Sequence, residues 1–259
     1  MRVVCLSAEA ADICARLGAW DEVVAVSAFA DQRDLSRKPV VSGFANGDAP
    51  RVLAFEPDLA ITFSDVQADL AAQLIRAGVT VLATNQRTLA NIAQTIQLIG
   101  RALGRADTAS KLAADFESQL DELRSGNRPQ PRVYFEEWPD PLISGIGWVG
   151  ELIELAGGVD VFAARRGKAA RERHVTAADV TAAEPEIILA RWCGKPVDLD
   201  AIRARAGFAE ISAVLDSQLF EMASSDILQP GPRVLRGARE IARIIAEWRT
   251  CKLQGHLAA

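Results

Sequence analysis

Gly145, Gly147 and Gly150 in the stretch GIGWVG carry the G-x-G-x-x-G spacing with which a tight turn cradles a pyrophosphate. They follow a strand-like run at 132–135 and open a helix-like run, WVGELIELAGG. That chemistry requires the first glycine to turn directly off the strand and an acid about 20 residues on for the ribose. Here EEWPDPLIS intervenes, and Pro139 and Pro141 predict an extended, wandering loop. The region about 20 residues on reads RRGKAARER, which is basic, and Asp160 comes too early. The glycines are therefore read as easing a loop into a helix.

Glu136 and Glu137 have the residue types of an acid–base pair, but adjacent residues of a strand point to opposite faces and do not address one substrate atom. No catalytic residue is assigned, and the protein is expected not to be an enzyme. The four cysteines (Cys5, Cys14, Cys193, Cys251) form no C-x-x-C and predict buried free thiols. With His174 and His256 alone, a multi-histidine metal cage cannot be built, so no metal ligands and no catalytic cofactor are expected.

Of the 259 residues, 49% are hydrophobic, which is ample for the core of a folded protein. A net charge of −5 offers no basic field to nucleic acid, and the cluster from Arg165 to Arg173 is read as a solvated loop. No apolar run approaches a membrane span. The opening MRVVCLSAEAAD imitates a secretory signal, but its apolar core of about four to six residues is shorter than the 7–15 such signals need. The sequence as written therefore predicts a cytoplasmic chain or one whose leader is not included.

The elements repeat. RVLAFEPDLAITF (51–63) and DVTAAEPEIILAR (179–191) share a helical approach, a Glu-Pro-acid turn and a continuous apolar strand of the kind covered on both faces. RVVCLSAEAADICARLGAWDEVVAV reads strand, loop, helix, Leu-Gly stop and strand, and RVYFEEW…WVGELIELAGGVDVFA repeats that order with Ala-Gly-Gly as the stop. The fold class expected is α/β: two similar lobes with central, mostly parallel sheets, a ligand cleft between them, and one long backbone helix as the joint. The lobes are placed at 1–104 and 128–259 and the helix at 105–127, its periodic core (107–123) about 25 Å long. The spacing also predicts a helix over 89–103 and an amphipathic one over 234–248, with Leu235, Ile241, Ile244 and Ile245 inward.

Two such lobes, with RVVCLSAEAADICARLGAWDEVVAVS at the front and EPDLAI before a strand, resemble the class III substrate-binding proteins of ABC importers over nearly the whole chain. YFEEWPDPLISG, RWCGKP and SSDILQPGP are most similar to the cobalamin-binding branch. The resemblance implies a non-catalytic periplasmic protein that captures a corrinoid, cobalamin or cobinamide, for an importer permease, and a monomer is the simplest expectation. A corrinoid is a broad, apolar macrocycle fringed with amides, so its site needs aromatic plates and a few polar rim groups. Phe29, Phe44, Phe63, Trp138 and Trp192 follow strands and are the candidate plates. By resemblance, the three phenylalanines stand where cobalamin binders place Tyr or Trp, and Asp226 matches a rim acid. The plain alternatives are core packing for each Phe and helix capping for Asp226. Glu210 matches the acidic docking knob of the second lobe; the first-lobe position holds Pro50, with Asp48 and Glu56 nearby.

Other ligands fit the composition differently. Haem carriers ligate iron through Tyr or His, yet Tyr134 lies inside an apolar strand. A ferric-siderophore carrier of the same fold would use clustered cations such as Arg191, Lys195 and the 165–173 group. A cytosolic corrinoid-handling or sensing protein, or an enzyme on this scaffold, is the reading from a different class.

Overall fold

The computed structural model describes residues 1–33, 35–44, 46–124, 126, 129–166 and 169–257, with side chains described as far as residue 254. Its packing divides the chain into two units, Met1–Glu117 with Pro230–Pro232, and Ser118–Gln229 with Arg233–Ala259. Each is an α/β unit with its own sheet, as the sequence predicts.

The first unit contains β1 (Val3–Cys5), α1 (Ala8–Arg16), β2 (Val23–Ser27), β3 (Val40–Ser42), α2 (Ala49–Leu53), β4 (Leu59–Phe63), α3 (Ala68–Arg76), β5 (Thr80–Thr84) and α4 (Leu89–Ala102). The division between units falls inside α5 (Ala106–Glu122). All pairings in the first sheet are parallel, in the order β3-β2-β1-β4-β5. β4 is buried along its whole length, the two-sided cover that a continuous apolar run implies. Val4, Leu6, Val52, Leu70 and Leu74 lie in one core cluster of this unit.

The second unit contains β6 (Arg132–Pro139), β7 (Leu142–Ser144), α6 (Gly147–Leu155), β8 (Val159–Asp160), α7 (Ala177–Ala182), β9 (Ile187–Ala190), α8 (Leu199–Arg203), α9 (Ser212–Leu215), β10 (Leu219–Glu221), α10 (Ser224–Ile227) and α11 (Val234–Leu257). The sheet order is β10-β9-β6-β7, with β8 also on β6; only β6–β7 is antiparallel. That pair corrects the wandering loop expected at 136–144. Pro139 ends β6, where no ladder N–H is required, and the chain returns as a hairpin. α11 continues beyond Trp248 to Leu257, and its Leu235, Ile241, Ile244 and Ile245 are buried as the periodicity predicts. Among the described residues no helix is long and apolar enough to cross a membrane.

The internal repeat is reproduced in the conformation and hydrogen bonding of its turns. Glu56 and Glu184 both adopt the left-handed conformation, at φ 44° and 43°. In each case an arginine at the start of a neighbouring strand clasps the turn: Arg2 donates to the carbonyl of Phe55 (2.7 Å) and Arg132 to that of Ala183 (2.5 Å). The acid of each motif accepts the backbone N–H of the same arginine, Asp58 from Arg2 (2.7 Å) and Glu186 from Arg132 (3.1 Å). The helix stops agree too, with Gly18 at φ 71° and Gly157 at φ 87°.

The glycine fingerprint serves packing. A Cβ on Gly150 would stand 2.3 Å from Arg166 Nε and 2.4 Å from Asp160 Oδ2, so the helix passes over this ion pair only with glycine there. The same pair corrects the solvated reading of 165–173. Arg166 is held by Asp160 and Glu154, while Arg173 is buried, paired bidentately with Glu137 and bonded to the Ser144 carbonyl. Gly167 and Lys168 of that cluster, the 127/128 lobe boundary and the His256 side chain lie outside the described residues. Cys5 and Cys14 are buried, but Cys193 and Cys251 are exposed, against expectation.

A non-glycine residue in the left-handed region costs about 1–2 kcal/mol, part of which glycine's freedom in the unfolded chain offsets. Glu56→Gly and Glu184→Gly are therefore each expected to raise the unfolding free energy by about 0.5–1 kcal/mol in urea titrations. Loss of stability at both positions would contradict the matched-turn description.

Candidate functional site

Strand order decides where each sheet opens. In the first unit the chain winds outward from β1 to β2 and β3, then returns to place β4 and β5 on the other side of β1. The loops leaving β1 and β4 therefore diverge, and the crevice at their carboxyl ends is where open parallel sheets bind ligands. In the second unit β9 and β10 lie to one side of β6 and β7 to the other, so the corresponding opening is at the ends of β6 and β9.

At the first opening Phe63 is the last residue of β4 and is 5% exposed. Phe44, two residues past β3, is 42% exposed, and its ring centroid lies 6.4 Å from that of Phe63 at 46°. Phe29, two residues past β2, is 48% exposed. The structure thus brings Phe44 and Phe63 together and leaves two of the three phenylalanines open to solvent, which core packing does not explain.

Gln67 holds this arrangement. Buried behind the ring pair, it accepts the Phe63 N–H on Oε1 (2.9 Å) and donates Nε2 to the carbonyls of Phe44 (2.9 Å) and Leu6 (2.8 Å). One side chain therefore ties together the loops after β1, β3 and β4. No spacing or composition in FSDVQ marks it, because the bonds are long-range and made to backbone.

The Pro230–Pro232 segment also belongs to the first unit, an excursion not expected from the sequence. Gln86 Nε2 donates to the Pro230 carbonyl (3.3 Å), and Gly231 packs so closely on Glu9 that an added Cβ would meet the Glu9 Cβ at 2.7 Å. Glu9 lies in the first turn of α1, directly after the β1 loop, and is buried. Burial pushes its carboxyl up to about 7, against a smaller opposing effect of the Ser7 hydrogen bond.

In the second unit the two tryptophans differ. Trp192 is 7% exposed within the core cluster, and its indole N–H donates to Glu136 (3.1 Å). Glu136 is fully buried, with Arg205 bidentate on it at 2.6 and 3.1 Å and the Tyr134 hydroxyl at 3.4 Å. Burial, then the Glu136 charge, hold the Tyr134 phenol well above its ordinary pKa. Trp138 is half-buried; its N–H donates to the Asp140 carbonyl (2.9 Å), and Lys195 Nζ lies 4.7 Å from the ring centroid. Glu137 turns the other way, to Arg173, so the adjacent carboxylates occupy opposite faces with separate partners.

Asp226 is half-buried in the first turn of α10, accepting from Ser225 Oγ (2.9 Å); Ala223 occupies the cap position, so Asp226 is not the N-cap. Glu210 is exposed in a short turn after Gly207, and Asp48, Pro50 and Glu56 are exposed in the first unit. Cavities of about 390 and 410 Å³ lie at the ends of β3 and β5, the former lined by Ser42, Asn46, Asp48 and Arg51. A larger one of about 860 Å³ is lined by Pro129, Glu186, Trp248 and Lys252, at the amino ends of β6 and β9 and thus away from the edges where such sheets bind ligands. Among the described residues no cluster of three metal-ligating His, Cys, Asp or Glu side chains occurs.

Since burial holds the folded carboxyl of Glu9 above its ordinary value of 4.5, the fold is favoured by the neutral acid. That contribution is complete below pH 4.5 and is lost as pH rises through 7. Glu9→Gln, neutral throughout, is expected to gain about 3 kcal/mol over the parent protein between pH 4.5 and 8 in denaturant titrations. A pH-independent difference would contradict this.

The vitamin B12-binding protein of Vibrio cholerae is 26% identical over 250 residues, spanning 93% of this chain and 87% of that one. An ABC transporter substrate-binding lipoprotein of Bacillus subtilis, YvrC, is 26% identical over 255 residues, 94% of this chain and 79% of that one. Among solved structures, a periplasmic haem-binding protein of Roseiflexus sp. RS-1 superposes with a TM-score of 0.83 at 22% identity, covering 96% and 98% of the two chains. The vitamin B12-binding protein of V. cholerae superposes at 0.77 and 24%, covering 95% and 97%. The class III resemblance is borne out, and the model of the periplasmic binding protein family matches residues 3–225. The chain belongs to the periplasmic binding protein family.

Proposed function

We propose that this protein is the substrate-capture component of an ABC importer, that its substrate is a corrinoid, cobalamin or cobinamide, and that it works in the periplasm as a non-catalytic monomer. The observation that most supports the reading is the open aromatic edge of the first unit, Phe29 and Phe44 exposed beside Phe63, in a chain whose curated relatives include vitamin B12-binding proteins. Flat apolar plates with few polar groups suit a macrocycle fringed with amides.

Haem fits the residues less well. An iron porphyrin needs an axial ligand from the protein, whereas cobalamin carries its own on its nucleotide arm. The one tyrosine, Tyr134, is sealed in the core on Glu136. Cys193 lies in the loop after β9, where partial burial of its thiol and then the Glu137 charge raise its pKa and disfavour the ligating thiolate. A ferric siderophore needs clustered cations, and here Arg166, Arg173, Arg191 and Arg205 are engaged by carboxylates of the same unit. Glu210 on the second unit, with Asp48 or Glu56 on the first, would meet the permease.

Calorimetric titration with cyanocobalamin, cobinamide, haemin and a ferric-siderophore panel tests the reading. Corrinoid binding is expected, weakened about tenfold by Phe44→Ala and by Trp138→Ala. Trp192→Ala is expected to act chiefly on stability, by about 3–5 kcal/mol. Absence of corrinoid binding would refute the function, and undiminished binding in both edge variants would refute the site.

A further inference from the structure

Each unit places a cation over the aromatic at its opening. The Arg87 guanidinium carbon lies 5.9 Å from the Phe63 ring centroid, and Lys195 Nζ lies 4.7 Å from that of Trp138. Both sit in loops at carboxyl ends of strands: Arg87 after β5, which pairs with β4, and Lys195 after β9, which pairs with β6. They differ from the other cations of these edges. Arg205 is locked on the buried Glu136 and Arg173 on Glu137, and Arg191 lies 2.6 Å from Glu221. Arg87 makes a 3.4 Å approach to Asp65, whose side chain is 82% exposed, a long and solvent-screened pair of little worth. A cation stacked on a ring keeps N–H donors at its edge for an incoming oxygen, and an arginine presents them as a planar fork.

From these pairings, and resting on the corrinoid reading above, we infer that Arg87 at the opening of the first unit and Lys195 at that of the second are each a subsite for an anionic substituent of the ligand, a phosphate or carboxylate. The exposed rings of each edge, Phe44 beside Phe63 and the half-buried Trp138, take the apolar body, and the cation beside them takes the charged substituent. Cobalamin supplies such a group in the phosphodiester of its nucleotide arm, which cobinamide lacks, and haem supplies it as two propionates. The two cations therefore set selectivity between complete corrinoids and their shorter precursors.

The test compares cyanocobalamin, dicyanocobinamide and haemin by calorimetry at low and high salt, on the parent protein, Arg87→Gln, Lys195→Gln and the double variant. Circular dichroism melting confirms that each variant is folded. The ratio of cobalamin to cobinamide affinity is expected to fall about tenfold or more in the double variant, with a smaller salt dependence for cobalamin. An unchanged ratio in a protein that binds both corrinoids overturns the inference and leaves the function standing. Binding of haemin alone, weakened by the same substitutions, removes the corrinoid reading and supports anion recognition. If none of the three binds, both fall.

Discussion

The structure depends on a topological constraint: a parallel sheet whose chain winds outward from a central strand and then returns to the other side must leave a gap between the loops at the point of reversal. In the first unit that point is between β1 and β4. Gln67 spans it, joining the backbones of Leu6, Phe44 and Phe63 through three hydrogen bonds. Leaving those buried backbone groups unpaired would cost more than any single ring contact contributes. The aromatic edge therefore owes its geometry to backbone hydrogen bonding, and the rings are free to face outward. A preformed edge of this kind lets binding energy go to the ligand instead of to ordering loops.

The second unit reaches a similar result with charge. Glu136, buried on one face of β6, gathers Arg205, Trp192 and Tyr134, whereas Glu137 on the other face gathers Arg173. Removing one partner from such a group leaves an uncompensated buried charge, so these residues fix the end of β6 and the turn after β9. Trp138 and Lys195 stand on that platform, Trp138 half-buried and Lys195 exposed. The division of labour between the tryptophans follows: Trp192 faces inward to a carboxylate, and Trp138 keeps a face for other partners.

Much of this was legible in the residues. Continuous apolar runs marked β4 and β9, Leu-Gly and Ala-Gly-Gly marked helix ends, and the Glu-Pro-acid repeat marked matched turns, because each signal is local and rests on backbone preference. Opposite faces for Glu136 and Glu137 followed from strand periodicity alone. The hairpin at 139–142 escaped notice because two prolines read as a loop, although proline is admissible where a strand ends. Gln67, the Glu136 cluster and the Pro230–Pro232 excursion were invisible for another reason: they join residues 61, 69 and 144 positions apart, and no spacing rule reaches that far. The exposure of Phe29 and Phe44 against the burial of Trp192 is likewise a property of packing, which residue type does not reveal.

The central proposal is that the carboxyl edges that carry Phe44 and Trp138 bind a corrinoid. Hydrogen–deuterium exchange with and without saturating cyanocobalamin tests it most directly. The account predicts new protection in the loops that follow β2, β3, β4, β5, β6 and β9, with none over residues 246–253 of α11. Protection confined to α11, or no new protection in any of these loops, would contradict it.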